Sequence, residues 1–183
     1  TTLEQILKTR GAMSAAIVAS IGIQVCAGLH YAHANKIIHR DIKTANLFFT
    51  RERIVKIMDF GLAKMVEEAR KGATMISGTP YYMAPEQALG ENVDHRADLY
   101  ALGVTFFNLL TNAFPFESGD LTFHHHNTPA PDVRERVASV SPAMAVLVAK
   151  LMAKRPEARC QSAAEIAHAL QQIATASART NPA

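Results

Sequence analysis

A mainly α fold with short β hairpins, α+β overall, is what this sequence predicts, and three features predict it. Apolar residues recur at helical spacing behind residues that cap helix starts, such as Ser14, Ser141 and Ser162. Three short apolar runs, Ile37-Ile38, Leu47 to Phe49 and Ile54 to Ile57, read as strands, and Thr50 to Arg53 turns the hairpin between the last two. Between the first two strands lies a dense polar stretch, His39 to Asn46, which packing alone does not call for.

The elements follow in chain order. Leu3, Ile6 and Leu7 stand at helical spacing after two capping threonines, Thr1 and Thr2, and Gly11 closes that short helix. Ser14 caps a second helix to about Ala34, where Ile17, Ile21, Val25 and Leu29, with the small Gly28 and Ala32, make one apolar face. Beyond the hairpin, Leu62 to Ser77 has little periodicity, and its Glu67, Glu68, Arg70, Lys71 and Gly72 read as a solvated loop. Val93 to Thr111 reads as a buried helix ended by Pro115-Phe116, and Ser118 to Asn127 as a short helix before the loop Thr128-Pro129-Ala130-Pro131. His124, His125 and His126 invite a metal reading, but adjacent helical residues point in different directions and cannot all face one ion. Ser141-Pro142 opens the next helix, with Met144, Leu147, Val148, Leu151 and Met152 inward, and Ser162 caps the last through Ile166, Leu170 and Ile173. From about Thr175 the small and polar residues read as a frayed tail or linker.

Composition bounds the function. The 183 residues, 49% of them apolar, suffice for one domain with a real core. No run near the ~20 apolar residues of a spanning helix is evident, nor a signal-like start, so a soluble, cytoplasmic piece with no membrane segment within this chain is expected, a membrane anchor elsewhere in the parent protein being left open. A net charge of +3 is too small and dispersed to suggest nucleic acid. Cys26 and Cys160 form no metal or redox spacing and read as small buried hydrophobes in a reducing compartment.

The polar stretch carries chemistry. Moving a phosphoryl group to a hydroxyl calls for a carboxylate to take or orient the hydroxyl proton, a cation near the migrating phosphate, and oxygen ligands for magnesium. Asp41, Lys43, Asn46 and Asp59 supply these in that order. In an extended segment Asp41 and Lys43 project to the same side.

Ile38-His39-Arg40-Asp41, Asn46 five residues on, Asp59-Phe60-Gly61 and Met83-Ala84-Pro85-Glu86 together resemble the catalytic lobe of a bacterial, eukaryotic-like serine/threonine protein kinase. The resemblance implies a kinase-like C-terminal lobe over 1–174 and a tail over 175–183. It implies ATP and Mg2+ as cofactors, with Asp41, Lys43, Asn46 and Asp59 catalytic, and Lys43, Asn46, Phe48 and Asp59 around the nucleotide. Asn46 and Asp59 would hold the metal. Phe48 would form the floor beneath adenine, supported by Leu3, Leu47 and Phe49, although core packing explains a Phe equally well. A protein Ser or Thr hydroxyl is the implied acceptor, seated by Thr79; Thr74 and Ser77 are candidate phosphorylation sites with Arg40 as partner, ordinary exposed hydroxyls being the alternative. His39, Phe60, Glu86, Asp98 and Arg159 would give structural support: Asp98 by accepting the His39 and Arg40 backbone N–H groups, Arg159 by pairing with Glu86. A surface pair of Asp98 with Arg96 or His95 is the alternative. Thr44 departs from the family, which commonly has Pro there.

No glycine-rich loop and no strand lysine precede Asp41. Because phosphoryl transfer depends on positioning and electrostatics, the chain alone is expected to be nearly inactive. A non-catalytic protein-docking module is the competing expectation.

Overall fold

The computed structural model describes residues 1–60, 80–90 and 93–180, with side chains described to 176. Thr2 opens α1 (Leu3–Arg10) through a reciprocal capping box with Gln5, and Gly11 closes it at φ 74°. Ser14 caps α2 (Ala15–Ala34). β1 (Leu47–Phe49) and β2 (Val55–Ile57) pair antiparallel, Leu47 opposite Ile57. The remaining helices are α3 (Pro85–Leu89), α4 (Arg96–Thr111), α5 (Leu121–Asn127), α6 (Pro142–Leu151) and α7 (Ala163–Thr180).

Helix α4 is the axis of the lobe, buried from Ala97 through Leu110. A helix apolar all round must be enclosed, and α4 lies against α6 and α2, with α2 in turn packed along α7. Its polar residues are satisfied internally: Thr105 donates to the Ala101 carbonyl at 2.8 Å, and Asn108 to that of Ala113 at 3.2 Å. Sheet and helix are joined by Gln24, which accepts from the Val55 N–H at 3.0 Å, while Gly28 lets Ile57 reach the α2 backbone.

Several expectations are corrected. Ile17 is 51% exposed, and Val18, Ala19, Gly22 and Cys26 are buried instead, because α2 is covered on more than one side and its buried arc is wider than a single stripe. Ile37-Ile38 forms no strand: the Ile37 N–H closes the end of α2 on the Ala32 carbonyl (2.9 Å) and the His39 N–H goes to Asp98. Helix α4 ends at Asn112 in the left-handed conformation, ahead of Pro115, and α5 starts at Leu121 behind an Asp120 cap. The expected tail is helical to Thr180, as an Ala-rich run free of Gly and Pro allows. Finally, α2 does have the length and apolar composition of a membrane span; here Val18, Ile21, Val25 and Leu29 face the protein's own core. Cys26 and Cys160 are free and buried, and burial pushes their thiols up to about 12 and about 11.

Candidate active site

The loop from His39 to Asn46 is hung from a carboxylate behind it. Asp98, at the start of α4 and fully buried, accepts the His39 N–H at 2.9 Å, the Arg40 N–H at 2.7 Å and His33 Nε2 at 2.8 Å. A buried carboxylate is tolerable only with such partners. Arg96 pairs instead with Asp94 at 2.7 Å, so the alternative surface role for Asp98 is not what the fold shows. His33 on α2 was not singled out by the sequence; nothing local marks a helical His as the partner of a residue 65 positions on.

From that anchor the backbone takes an unusual path. Arg40 sits at φ 68° and Asp59 at φ 61°, left-handed conformations that L side chains seldom adopt. His39 holds both segments at once. Its Nδ1 accepts the Asp41 N–H at 3.2 Å, which leaves Nε2 protonated to donate to the Met58 carbonyl at 2.7 Å. The Phe60 ring meets His39 edge-on at 4.8 Å. The Met58 N–H also donates to the Asn46 carbonyl at 2.8 Å, so Asp59 follows directly from a residue tied to both His39 and Asn46.

Within the loop the candidate groups are close. Lys43 Nζ lies 2.7 Å from Asp41 Oδ2, the extended backbone at Lys43 placing the two on one side. Asn46 Nδ2 donates to the Asp41 carbonyl at 2.8 Å and to its Oδ2 at 3.0 Å. Two acceptors on one side fix the amide orientation, and its oxygen is then the atom a hard cation can use. Asn46 Oδ1 and the exposed carboxylate of Asp59, one residue beyond the Met58 that bonds Asn46, are oxygens of the kind magnesium takes alongside water and phosphate. The buried Ile42 roots the loop in the core.

Phe48, 36% exposed, stands on β1 between the buried Leu47 and the half-buried Phe49 and is bridged to Thr2, next to the buried Leu3. Alternation along the strand turns Phe48 away from the core, an apolar surface of the kind a nucleobase ring requires. Thr44, in the place of the family's usual Pro, is buried and shares a 3.0 Å hydrogen bond with the Tyr82 hydroxyl, which donates on to Asn108 at 3.3 Å. That link ties the loop to the Pro80–Tyr82 turn and escaped the sequence reading, as did Gln87, whose Nε2 donates to the Arg40 carbonyl at 3.1 Å. Arg159 and Glu86 meet as expected, in two contacts of 2.7 Å. Thr74, Ser77 and Thr79 lie outside the described residues. The three histidines diverge: His125 is buried with Nδ1 2.8 Å from the Tyr100 hydroxyl, His124 bonds Thr128 at 2.9 Å, and His126 is exposed. Among the described residues no cluster of three metal-ligating His, Cys, Asp or Glu side chains forms.

A carboxylate braced by an amide and an ammonium thus sits on a loop suspended from a helical core. The protein kinase domain model matches residues 1–172, and the chain belongs to that family. It is 42% identical over 168 residues to the serine/threonine-protein kinase Pkn1 of Myxococcus xanthus, covering 87% of this chain and 24% of that protein. It is 39% identical to the serine/threonine-protein kinase pkn3 of the same organism, over 93% of this chain and 34% of the relative. With the serine/threonine-protein kinase PknB of Mycolicibacterium smegmatis it shares 38%, over 90% of this chain and 27% of the relative. The chain therefore spans about a quarter to a third of the length of these curated relatives.

Proposed function

We propose that the chain forms the catalytic lobe of an ATP-dependent kinase that phosphorylates protein serine and threonine hydroxyls. The observation that carries this is the Asp41–Asn46–Lys43 triangle. One carboxylate oxygen of Asp41 is engaged by Asn46 Nδ2 at 3.0 Å and Lys43 Nζ at 2.7 Å. Its other oxygen is the one to take or orient the acceptor hydroxyl proton. Lys43 lies where it can also counter charge developing on the transferred group. Asn46 Oδ1 and Asp59 would hold magnesium, which when bound neutralises phosphate oxygens and aligns them. Phe48 would lie beneath the adenine. Lys43 two residues after Asp41 is the serine/threonine pattern, which supports an aliphatic hydroxyl as acceptor. A phosphate on Thr74 or Ser77 would find Arg40 beside the loop, and Thr79 would seat the acceptor. The reduced, buried Cys26 and Cys160 suit a cytoplasmic place of action.

The test is transfer of labelled phosphate from ATP to a Ser- or Thr-containing protein by the complete gene product. Wild type is expected to label the substrate in a magnesium-dependent manner, and Asp41→Asn to abolish it. Equal labelling by both would remove Asp41 from the chemistry. No labelling by wild type, with no magnesium–ATP shift in melting temperature, would favour a docking module.

A further inference from the structure

The Arg40–Asp41 peptide is gripped from both faces by groups far apart in the sequence. Its N–H, that of Asp41, donates to His39 Nδ1 at 3.2 Å. Its carbonyl, that of Arg40, accepts from Gln87 Nε2 at 3.1 Å, across 47 residues. The preceding N–H, that of Arg40, is held by Asp98 at 2.7 Å. Gln87 sits in the first turn of α3, and its Oε1 accepts the Ala84 N–H at 3.1 Å. One side chain thus serves as a helix-start cap with its oxygen and as a clamp with its nitrogen.

The clamp matters because Arg40 is left-handed, at φ 68°. A non-glycine residue stays in that region only where its surroundings over-determine it. Rotation of the 40–41 peptide plane is the route by which it would relax, and that rotation re-aims the Asp41 carboxylate. Asp98 and His39 both act on N–H groups. Gln87 supplies the hold on the carbonyl that those two do not.

We propose that Gln87 is a positioning residue for the phosphotransfer site: through the Arg40 carbonyl it fixes the plane of the peptide that carries Asp41, coupling the orientation of the catalytic carboxylate to the seating of α3. This rests on the phosphotransfer reading above for its consequence in catalysis, but not for its structural content. The clamp requires a donor at Gln87, whereas the cap requires an acceptor, so the two roles separate by substitution. Gln87→Glu keeps an oxygen for the Ala84 N–H and loses the donor to Arg40. Gln87→Ala loses both.

Two readouts test it. In the 183-residue chain, amide exchange of Asp41 followed by NMR is expected to quicken about fivefold to tenfold in both variants, the ratio that loss of one net hydrogen bond corresponds to. The melting temperature is expected to fall in both variants, because Gln87→Ala loses cap and clamp while Gln87→Glu loses the clamp and sets an acceptor against the Arg40 carbonyl. In the complete gene product, both variants are expected to lower kcat by about 10-fold to 100-fold with the KM for magnesium–ATP unchanged, as a misaimed carboxylate requires. Wild-type Asp41 exchange in Gln87→Glu would overturn the clamp. Disturbed exchange with unchanged kcat would overturn its link to Asp41. A wild-type protein that transfers no phosphate would sink the phosphotransfer reading, while the exchange experiment still decides the clamp.

Discussion

Glu86 and Arg159, 73 residues apart, meet inside the lobe in a two-pronged ion pair with both contacts at 2.7 Å. Arg159 is 1% exposed and spends its remaining donors on the carbonyls of Ala153, Lys154 and Arg96, with its guanidinium 4.9 Å over the Tyr100 ring. All polar faces of the ion are met, which is the condition for a buried pair to be tolerated. The pair pins α3, whose Gln87 bonds the Arg40 carbonyl, to the turn before α7.

Breaking it from one side leaves a buried charge without its counterion. Glu86→Ala and Arg159→Ala are each expected to lower stability by about 3–5 kcal/mol in urea titrations. The double variant is expected to lose less than the sum of the two. Additive losses would mean that the two residues stabilise the lobe independently.

Asp98→Asn tests the suspension of the loop. Asp98 receives three donors, from His33, His39 and Arg40, and an amide must turn its NH2 toward at least one of them. A loss of about 2–3 kcal/mol is expected, the range for a buried polar group left facing the wrong partner. Amide exchange at His39 and Arg40 is expected to accelerate ahead of the rest of the core.

Gly103 lies where α4 crosses the end of α6. A Cβ there would stand 2.6 Å from Leu151 Cβ and 3.3 Å from the Leu151 backbone carbon, neither of which can swing aside. Gly103→Ala gains about 1 kcal/mol of helix propensity and incurs overpacking of about 1–3 kcal/mol. Net destabilisation is the expected sign, read from the urea midpoint; a more stable variant would show that the crossing has slack.

His125 confers an acid sensitivity on the lobe. Burial pushes its ring down to about 4, helped by the Lys154 ammonium and opposed by the Tyr81 backbone. Between that value and the ordinary 6.5 the unfolded chain binds more protons than the folded one, so stability rises with pH there and falls on acidification. At 1.36 kcal/mol per unit the full loss is up to about 3 kcal/mol. Melting temperature followed from pH 7 to pH 4 is expected to drop less in His125→Asn, whose amide oxygen can still accept from Tyr100. An identical slope in both proteins would place the acid sensitivity elsewhere.

Much of the site was legible in the residues. Asp41, Lys43, Asn46 and Asp59 lie in short segments whose order and spacing carry the pattern, and the caps at Thr2, Ser14, Ser141 and Ser162 act on the next turn of the same helix. The strand expected at Ile37-Ile38 failed because apolar β-branched residues announce burial or strand propensity, not where their backbone donors go. Ile17 misled for a related reason: a single stripe presumes a single covered face.

What the sequence determined by itself was the family pattern of Asp41, Lys43, Asn46 and Asp59 and most helix starts, since these depend on neighbours a few residues away. What only the tertiary structure decided was how those groups are held: His33 on Asp98, Thr44 on Tyr82, Gln87 on the Arg40 carbonyl, and the left-handed turns at Arg40 and Asp59. The side-chain joins are contacts between segments far apart in the chain, and the composition of neither segment records its partner.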